Sequence, residues 1–348
     1  MRYNSTSIWV SHVVAWGRQY VDHPFLAALV TLGWIPVACS AVAIDAAEAT
    51  TLFLVGQALA CLMVVVAPFD VWYYDERLLP GFFADIDDVI TEAEDDTLRR
   101  LAERFDTAYS RYWWVTTLPW VVLVLLVFAF GQGYFASQGI TTPVERAAYL
   151  GFFVYWLVFA GLRTHGGVIT VLTIRAFARD VELEIDPLHP DGLGGLSTVG
   201  SFAIRMTLLI SLGSLALPLS FQIASHIRYE NVVYAGVALF VLLVALNFIY
   251  PTYKVNRRAQ ELRESMLESR RKRIRSLENR LSESFDDGGD DTSDDVLQLE
   301  IQRARREYDD YQNVQLYPLS VGIITRLASS ILLPIFFILF ELFVSDFL

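Results

Sequence analysis

The chain has 348 residues, of which 54% are hydrophobic, and its formal net charge is −12. Soluble domains are less apolar, and the apolar residues of this chain are gathered in blocks of about 20, the length that crosses hydrocarbon as a helix. These features exclude a pair of ordinary soluble domains, and the acidic balance argues against a nucleic-acid partner.

At the start of the chain, residues 1–24 predict an interfacial helix that lies on the membrane surface. Apolar side chains recur in this segment at helical spacing, and tryptophan favours the membrane–water interface. The residues that carry this pattern are Ile8, Trp9, Val13 and Trp16.

Residues 25–251 predict six transmembrane helices, because each apolar block is long enough to span a bilayer. The predicted spans are 25–44, 50–69, 113–135, 147–174, 201–224 and 232–250, and Pro251 is predicted to close the sixth. Between the second and third spans, apolar side chains of residues 85–111 recur at steps of three and four, which predicts an amphipathic cytoplasmic helix.

The connection before the fifth span, residues 180–200, predicts a rigid Pro/Gly loop. Prolines fix its backbone, and glycines permit close approach to neighbouring helices. One interpretation is a connector that packs against the cytoplasmic helices; the other is a metal or nucleotide site, since Asp and His suit a divalent ion. The loop motif comprises Asp186, Pro187, His189, Pro190, Asp191, Gly192, Gly194 and Gly195.

Residues 252–315 predict a charged cytoplasmic helical segment, either a hairpin or helices that meet across subunits. Leu267, Ile274 and Leu281 repeat with the period of a coiled-coil seam, and the acidic stretch 285–295 predicts a solvated loop. Residues 316–348 predict a further transmembrane helix. The predicted fold class is therefore all-α, an integral membrane bundle of about seven transmembrane helices with a cytoplasmic helical hairpin.

Basic residues predict the orientation of the chain. Most of them lie in residues 1–24, 70–112, 175–200 and 252–315, which fall on one side of the membrane in this topology. Because basic residues favour the cytoplasmic side, we expect a multi-pass protein of the cell membrane whose N-terminus is cytoplasmic and whose C-terminus is extracellular.

Ionisable residues within the predicted spans are the leading functional candidates, since such residues are costly in lipid. Arg163 and His165 lie among glycines in the fourth span, where they predict either a solute path or hydrogen bonds inside the bundle. Arg205, Arg326 and Glu341 have a second explanation, in which their side chains reach from the span to the membrane interface. The full set is Arg163, His165, Arg205, Arg326 and Glu341.

A polar strip in the seventh span predicts a pore helix. Pro334 is expected to kink this helix, and the apolar run 331–339 is expected to form a constriction that gates by dewetting. The alternative is an ordinary bundle helix whose hydroxyls bond to the preceding turn. The candidate pore residues are Thr325, Ser329, Ser330 and Pro334.

No catalytic motif is present: the sequence contains no HExxH, GxSxG, GxGxxG or Walker A pattern. We therefore expect neither an enzyme nor a cofactor. Cys39 and Cys61 form no CxxC motif and are expected to be packing residues. Lys254 and Lys272 are the only lysines of an acidic chain, which is typical of a halophilic archaeon; a GC-rich genome is the alternative explanation.

The strings DPLHPDGLGGL (186–196) and QLYPLSVGIITRL (315–327) resemble a group of uncharacterised prokaryotic multi-pass membrane proteins. In topology alone, the chain resembles the seven-transmembrane ion channels of the insect gustatory and odorant receptor type. This resemblance implies an oligomer whose last spans line a central pore. Residues 321–342 lack the aromatic motif typical of the insect members, so no functional residue is carried over.

The expected function is therefore an oligomeric ion channel of chemoreceptor-like architecture. A membrane signalling or scaffold protein that uses its cytoplasmic helices is the alternative. A secondary transporter is less favoured, since no inverted repeat is evident. The expected partners are the lipid bilayer and further copies of the chain, and the sequence names no ligand.

Overall fold

The computed structural model describes residues 7–86, 95–181, 197–226, 230–286 and 291–313, and within these ranges every regular element is helical. The all-α prediction is confirmed for this part of the chain. The helices are α1 (Trp9–Gly17), α2 (Pro24–Ala43), α3 (Thr51–Asp85), α4 (Asp95–Phe130), α5 (Gln132–Ser137), α6 (Pro143–Asp180), α7 (Thr198–His226), α8 (Glu230–Asp286) and α9 (Asp291–Asn313).

Five of these helices, α2, α3, α4, α6 and α7, are long and apolar enough to cross a membrane. The described residues of α8 contain a shorter apolar stretch, Tyr234–Leu246. The chain is thus a polytopic helical membrane protein. The count of about seven spans stays a prediction, because the block at 316–348 lies outside the described residues.

Two boundaries differ from the sequence prediction. The amphipathic segment and the third span form one continuous helix, α4, which tolerates Pro119 in its interior. Helix α8 runs through position 251 for 57 residues, so the proline there does not end the sixth span. A proline removes one helical hydrogen bond, but the residues that follow, rich in Arg, Glu and Leu, have high helix propensity and continue the helix.

The helices of the bundle are longer than a membrane is thick. Helices α3, α4 and α6 have 35, 36 and 38 residues; at about 1.5 Å per residue they measure about 52–57 Å, against about 30 Å of hydrocarbon. All charged residues of α4 lie in its first half. We call the end of the bundle near Asp95 the extended end, and the end formed by residues 44–50 and 138–142 the short-loop end.

Side-chain caps define the short-loop end. The Thr50 side chain accepts a hydrogen bond from the Phe53 amide at the start of α3. The Gln138 side chain then accepts from both the Thr50 amide (3.1 Å) and the Thr50 hydroxyl (2.8 Å). A capping box between Thr142 and Glu145 starts α6. These bonds fix the starts of α3 and α6 at one level.

Aromatic side chains fill the core of the bundle in two layers. The layer near the short-loop end packs fully buried rings of α3, α5 and α6: Phe53, Phe135, Tyr149, Phe152 and Phe153. The layer near the extended end packs rings of α3, α4, α6 and α7: Tyr74, Phe82, Phe83, Tyr109, Phe177 and Phe202. In a membrane bundle such rings stabilise the contacts between helices through van der Waals packing.

Helix α1 is attached to the bundle by a buried carboxylate. Oδ2 of Asp75 accepts hydrogen bonds from the Ile8 amide (3.0 Å) and from the Ser11 hydroxyl. Asp75 therefore caps the N-terminus of α1 from another helix, where negative charge is favoured. Asp75 belongs to a π-helical turn of α3, Tyr74–Leu78, a geometry that occurs mostly as single turns within α-helices.

We expect Asp75→Ala to release α1, because the variant loses the two hydrogen bonds that Asp75 accepts, each contributing about 0.5–1.5 kcal/mol. Hydrogen exchange of the α1 amides should accelerate at least tenfold. Glu76→Ala is the matched control, because Glu76 is exposed and bonds only the Ser7 hydroxyl among the described residues. Equal exchange rates in the two variants would contradict the capping role of Asp75.

Helices α8 and α9 form an antiparallel pair. Leu277 of α8 is buried against Ile301 and Ala304 of α9, with Ile274, Leu281 and Leu297 beside them. Ion pairs flank this seam, including Arg270 with Glu307 and Arg305 with Glu278. The two helices therefore pack side by side, while the predicted cytoplasmic hairpin stays a prediction.

Candidate functional site

The most polar part of the bundle interior lies on α6, around Arg163. Arg163 is 7% exposed, and its guanidinium forms an ion pair with the carboxylate of Asp70 on α3, which is 3% exposed. The Arg163 Nη2 atom also lies 3.4 Å from the carbonyl oxygen of Met63. A buried cation is tolerated because its partner neutralises it and accepts its hydrogen bond.

His165 links α6 to α4 on the extended-end side of this pair. Its Nε2 atom donates to the Ala108 carbonyl oxygen at 3.2 Å, and its ring stacks on Tyr109 at a centroid distance of 5.5 Å. The Tyr74 hydroxyl shares a hydrogen bond of 3.1 Å with Thr170. Polar contacts thus join α3, α4 and α6 beside the aromatic layer near the extended end, to which Tyr74 and Tyr109 belong.

The ion pair lies far from the short-loop end. Along α6, Arg163 lies about 30 Å from the Thr142 cap, at about 1.5 Å per residue. Along α3, Asp70 lies about the same distance from the Thr50 cap. That distance equals the thickness of the hydrocarbon core. Both partners of the ion pair thus lie at the same level of the bundle.

Beside Arg163, a cavity of about 140 Å³ opens between α4, α6, α7 and α8. Its lining is apolar and aromatic, apart from Arg163, Thr164 and Ser220. Representative lining residues are Met63, Trp120, Phe153, Trp156, Leu217 and Phe240. An apolar pocket with a few polar groups is the usual composition of a small-molecule site.

Three buried polar atoms on α6 have no hydrogen-bond partner among the described residues: Arg163 Nε, His165 Nδ1 and Thr173 Oγ1. Such atoms are uncommon, because desolvation of an unpaired donor or acceptor costs about 1–3 kcal/mol. Of the three residues, Arg163 alone lines the cavity. Its Nε–H is therefore a buried donor that the described residues leave unpaired.

The structure brings together two of the residues singled out from the sequence, Arg163 and His165. Arg205 lies on α7 with its side chain exposed, as expected of an arginine that reaches the interface. The other candidates, namely Arg326, Glu341, Thr325, Ser329, Ser330, Pro334 and the loop motif 186–195, lie outside the described residues.

Sequence reasoning missed Asp70, the partner of Arg163. The residue follows the second apolar block directly, so it was counted with the charged connection that begins at residue 70. An acidic residue at the edge of one span and an arginine within another were the available signal, because an intramembrane charge demands a partner. In the part of the chain that the structure describes, no group of three or more His, Cys, Asp or Glu side chains is placed to hold a metal ion.

Comparison of the chain with protein-family models, with curated proteins and with solved structures gave no match. The class of protein is therefore defined by its own fold and site: a polytopic helical membrane protein with a buried ion pair and an adjoining apolar cavity.

Proposed function

We propose that the protein is an oligomeric ion channel whose subunits meet through their C-terminal apolar blocks, residues 316–348. The supporting observation is the place where α9 ends. Arg263 of α8 donates from Nε to the Tyr311 carbonyl oxygen at 3.1 Å and from Nη2 to that of Gln312. Helix α9 thus ends beside α8.

In this proposal the C-terminal block packs at the periphery of the bundle, where equivalent helices of several subunits can surround an axis. Among the described residues, two layers of aromatic side chains fill the centre of the bundle, which agrees with a peripheral place for a further helix.

Apolar side chains are exposed on α4 and α8, where they can contact either another subunit or lipid. They include Leu118, Val122, Leu125, Leu239, Leu242 and Leu246. In the orientation proposed from the basic residues, the α8–α9 pair lies in the cytoplasm and the C-terminus outside the cell. Ser330 then belongs to the polar strip that faces the axis.

Cross-linking tests this assembly. In a background without Cys39 and Cys61, Ser330→Cys is expected to form disulfide-linked dimers under mild oxidation, because symmetry brings equivalent residues together near an axis. Val30→Cys, on the exposed face of α2, is the matched control and should remain monomeric. Monomers at both positions, with folded protein, would contradict the proposed assembly.

A signalling or scaffold protein is the second candidate, and the observation that favours it is the α8–α9 pair. Helix α8 has 57 residues and is about 85 Å long at about 1.5 Å per residue, so the pair projects well beyond the bundle. The two candidates differ in conduction: a scaffold leaves the bilayer sealed, whereas a channel carries current.

A further inference from the structure

Helix α4 is the least buried of the five helices that can cross a membrane. Only 11% of its most apolar part is buried, against 67% for α6 and for α7. Its exposed side chains include Val115, Leu118 and Val122, each about half exposed. Steps of three and four residues place these side chains on one face of the helix. We call this face the α4 stripe.

The α4 stripe ends in an arginine. Arg111 is exposed and lies one turn before Val115 on the same face, and the residues that follow it on α4, 112–130, are all uncharged. The Arg111 guanidinium lies 5.9 Å from the ring centre of Tyr112, and Tyr112 and Trp114 are also about half exposed. Tyrosine and tryptophan beside a basic residue are typical of the level at which lipid headgroups meet hydrocarbon.

Contacts between α4 and α6 fix the level of Arg111 in the bundle. One hydrogen bond joins His165 to the Ala108 carbonyl oxygen at 3.2 Å, and another joins the Thr116 hydroxyl to the Gly161 carbonyl oxygen at 3.3 Å. Arg111 lies between these two contacts along α4, and it is therefore level with the buried ion pair, about 30 Å from the short-loop end. A bilayer whose one hydrocarbon surface meets the short-loop end has its other surface at this level.

The charge of Arg111 is not neutralised by any carboxylate in the part of the chain that the structure describes. Arg99, on the same helix, pairs with Asp96 one turn away. The residues one turn from Arg111, Thr107 and Val115, are uncharged. An exposed guanidinium suits a phosphate group, whose oxygens accept two parallel N–H bonds. A lipid of net negative charge is favoured over a zwitterionic lipid, because the cation of the latter already neutralises its phosphate.

We propose that Arg111 and the α4 stripe form a binding site for one anionic phospholipid. The phosphate lies against the Arg111 guanidinium, Tyr112 and Trp114 flank the glycerol region, and the acyl chains lie along Val115 and Leu118. The site requires neither the oligomer nor the pore, so it stands or falls separately from the proposed channel. It assigns lipid, rather than another subunit, to this face of α4.

Fluorescence quenching in the full-length, reconstituted protein tests the proposal. In a background without Cys39 and Cys61, a bimane label on Leu118→Cys reports the lipids beside the α4 stripe. Phosphatidylcholine vesicles contain a minor fraction of brominated phosphatidylglycerol or of brominated phosphatidylcholine, at low ionic strength, where screening is weakest. We expect brominated phosphatidylglycerol to occupy the site about fivefold more favourably, since an arginine near an anionic surface contributes about 1 kcal/mol.

Two variants and one soluble competitor locate the site. Arg111→Gln should abolish the preference and leave quenching by brominated phosphatidylcholine unchanged, which also shows that the variant is folded. Arg100→Gln is the matched control and should keep the preference, because Arg100 is exposed on the same face of α4 but lies about 16 Å farther from the hydrocarbon. Glycerol 3-phosphate in solution should not reduce the quenching, because it has no acyl chains to lie on the α4 stripe.

Four results would overturn the proposal. The first is equal quenching by the two brominated lipids in the wild type. The second is a preference that Arg111→Gln keeps, or that Arg100→Gln loses as fully. The third is loss of the preference when glycerol 3-phosphate is added, which would assign the site to a soluble phosphate. The fourth is absence of quenching by either lipid, which would show that another subunit or residues 316–348 cover the α4 stripe.

Discussion

Arg163→Met is expected to lower the free energy of unfolding by about 3–5 kcal/mol, because the variant leaves the Asp70 carboxylate buried without its partner. Asp70 is 3% exposed, so water cannot replace the guanidinium. Thermal or denaturant unfolding in detergent or bicelles, compared with the wild type, measures the change.

The double variant Asp70→Leu/Arg163→Met provides the decisive comparison. Replacing both charges by apolar groups of similar size is often close to neutral, so the double variant should recover most of the lost stability. The exposed pair of Arg179 and Asp180 is the control, and Arg179→Met should change stability by less than about 1 kcal/mol. A double variant as unstable as Arg163→Met would show that the two residues do not depend on each other.

Gly161→Ala is the second substitution with a large expected effect, since it forces α6 away from α4. A Cβ at Gly161 would lie 2.5 Å from the Cα of Thr117, a backbone atom that cannot rotate aside. The Gly161 carbonyl also accepts from the Thr116 hydroxyl at 3.3 Å. Overpacking of this kind costs about 1–3 kcal/mol, and close helix contacts through small residues are typical of membrane bundles.

Gly81→Ala is the matched control, because a Cβ at Gly81 meets no atom within 4 Å in the described structure. Alanine at an unhindered helical position stabilises by about 0.5–1 kcal/mol relative to glycine, so the two variants should shift the unfolding midpoint in opposite directions. A stabilised Gly161→Ala variant would contradict the close approach of α4 and α6.

The starts and the apolar cores of the spans could be predicted from sequence, because a helix that crosses hydrocarbon needs about 20 consecutive apolar residues. The second span was predicted to begin at residue 50, and Thr50 is the N-cap of α3. Helix α3 itself continues beyond the predicted end of the span, to Asp85. The polar residues beyond 69 are buried by other helices, which hydropathy along one segment cannot reveal.

The candidate site depends on contacts between residues distant in the chain. Asp70 and Arg163 are 93 positions apart, and the cavity is built from side chains of five helices. The sequence indicated that Arg163 needed a partner, but several carboxylates near span ends were available. The choice of Asp70 follows from the parallel packing of α3 and α6, whose starts are aligned by Thr50 and Thr142.

Current recording across planar bilayers at high salt tests the central claim, that the protein is an oligomeric ion channel. We expect purified, reconstituted protein to produce discrete unitary currents, and we expect Ser330→Phe to reduce their amplitude by narrowing the polar strip of the pore. Val30→Phe, on the exposed face of α2, should leave the currents unchanged. An electrically silent bilayer that contains folded wild-type protein would contradict the channel, and it would favour the scaffold.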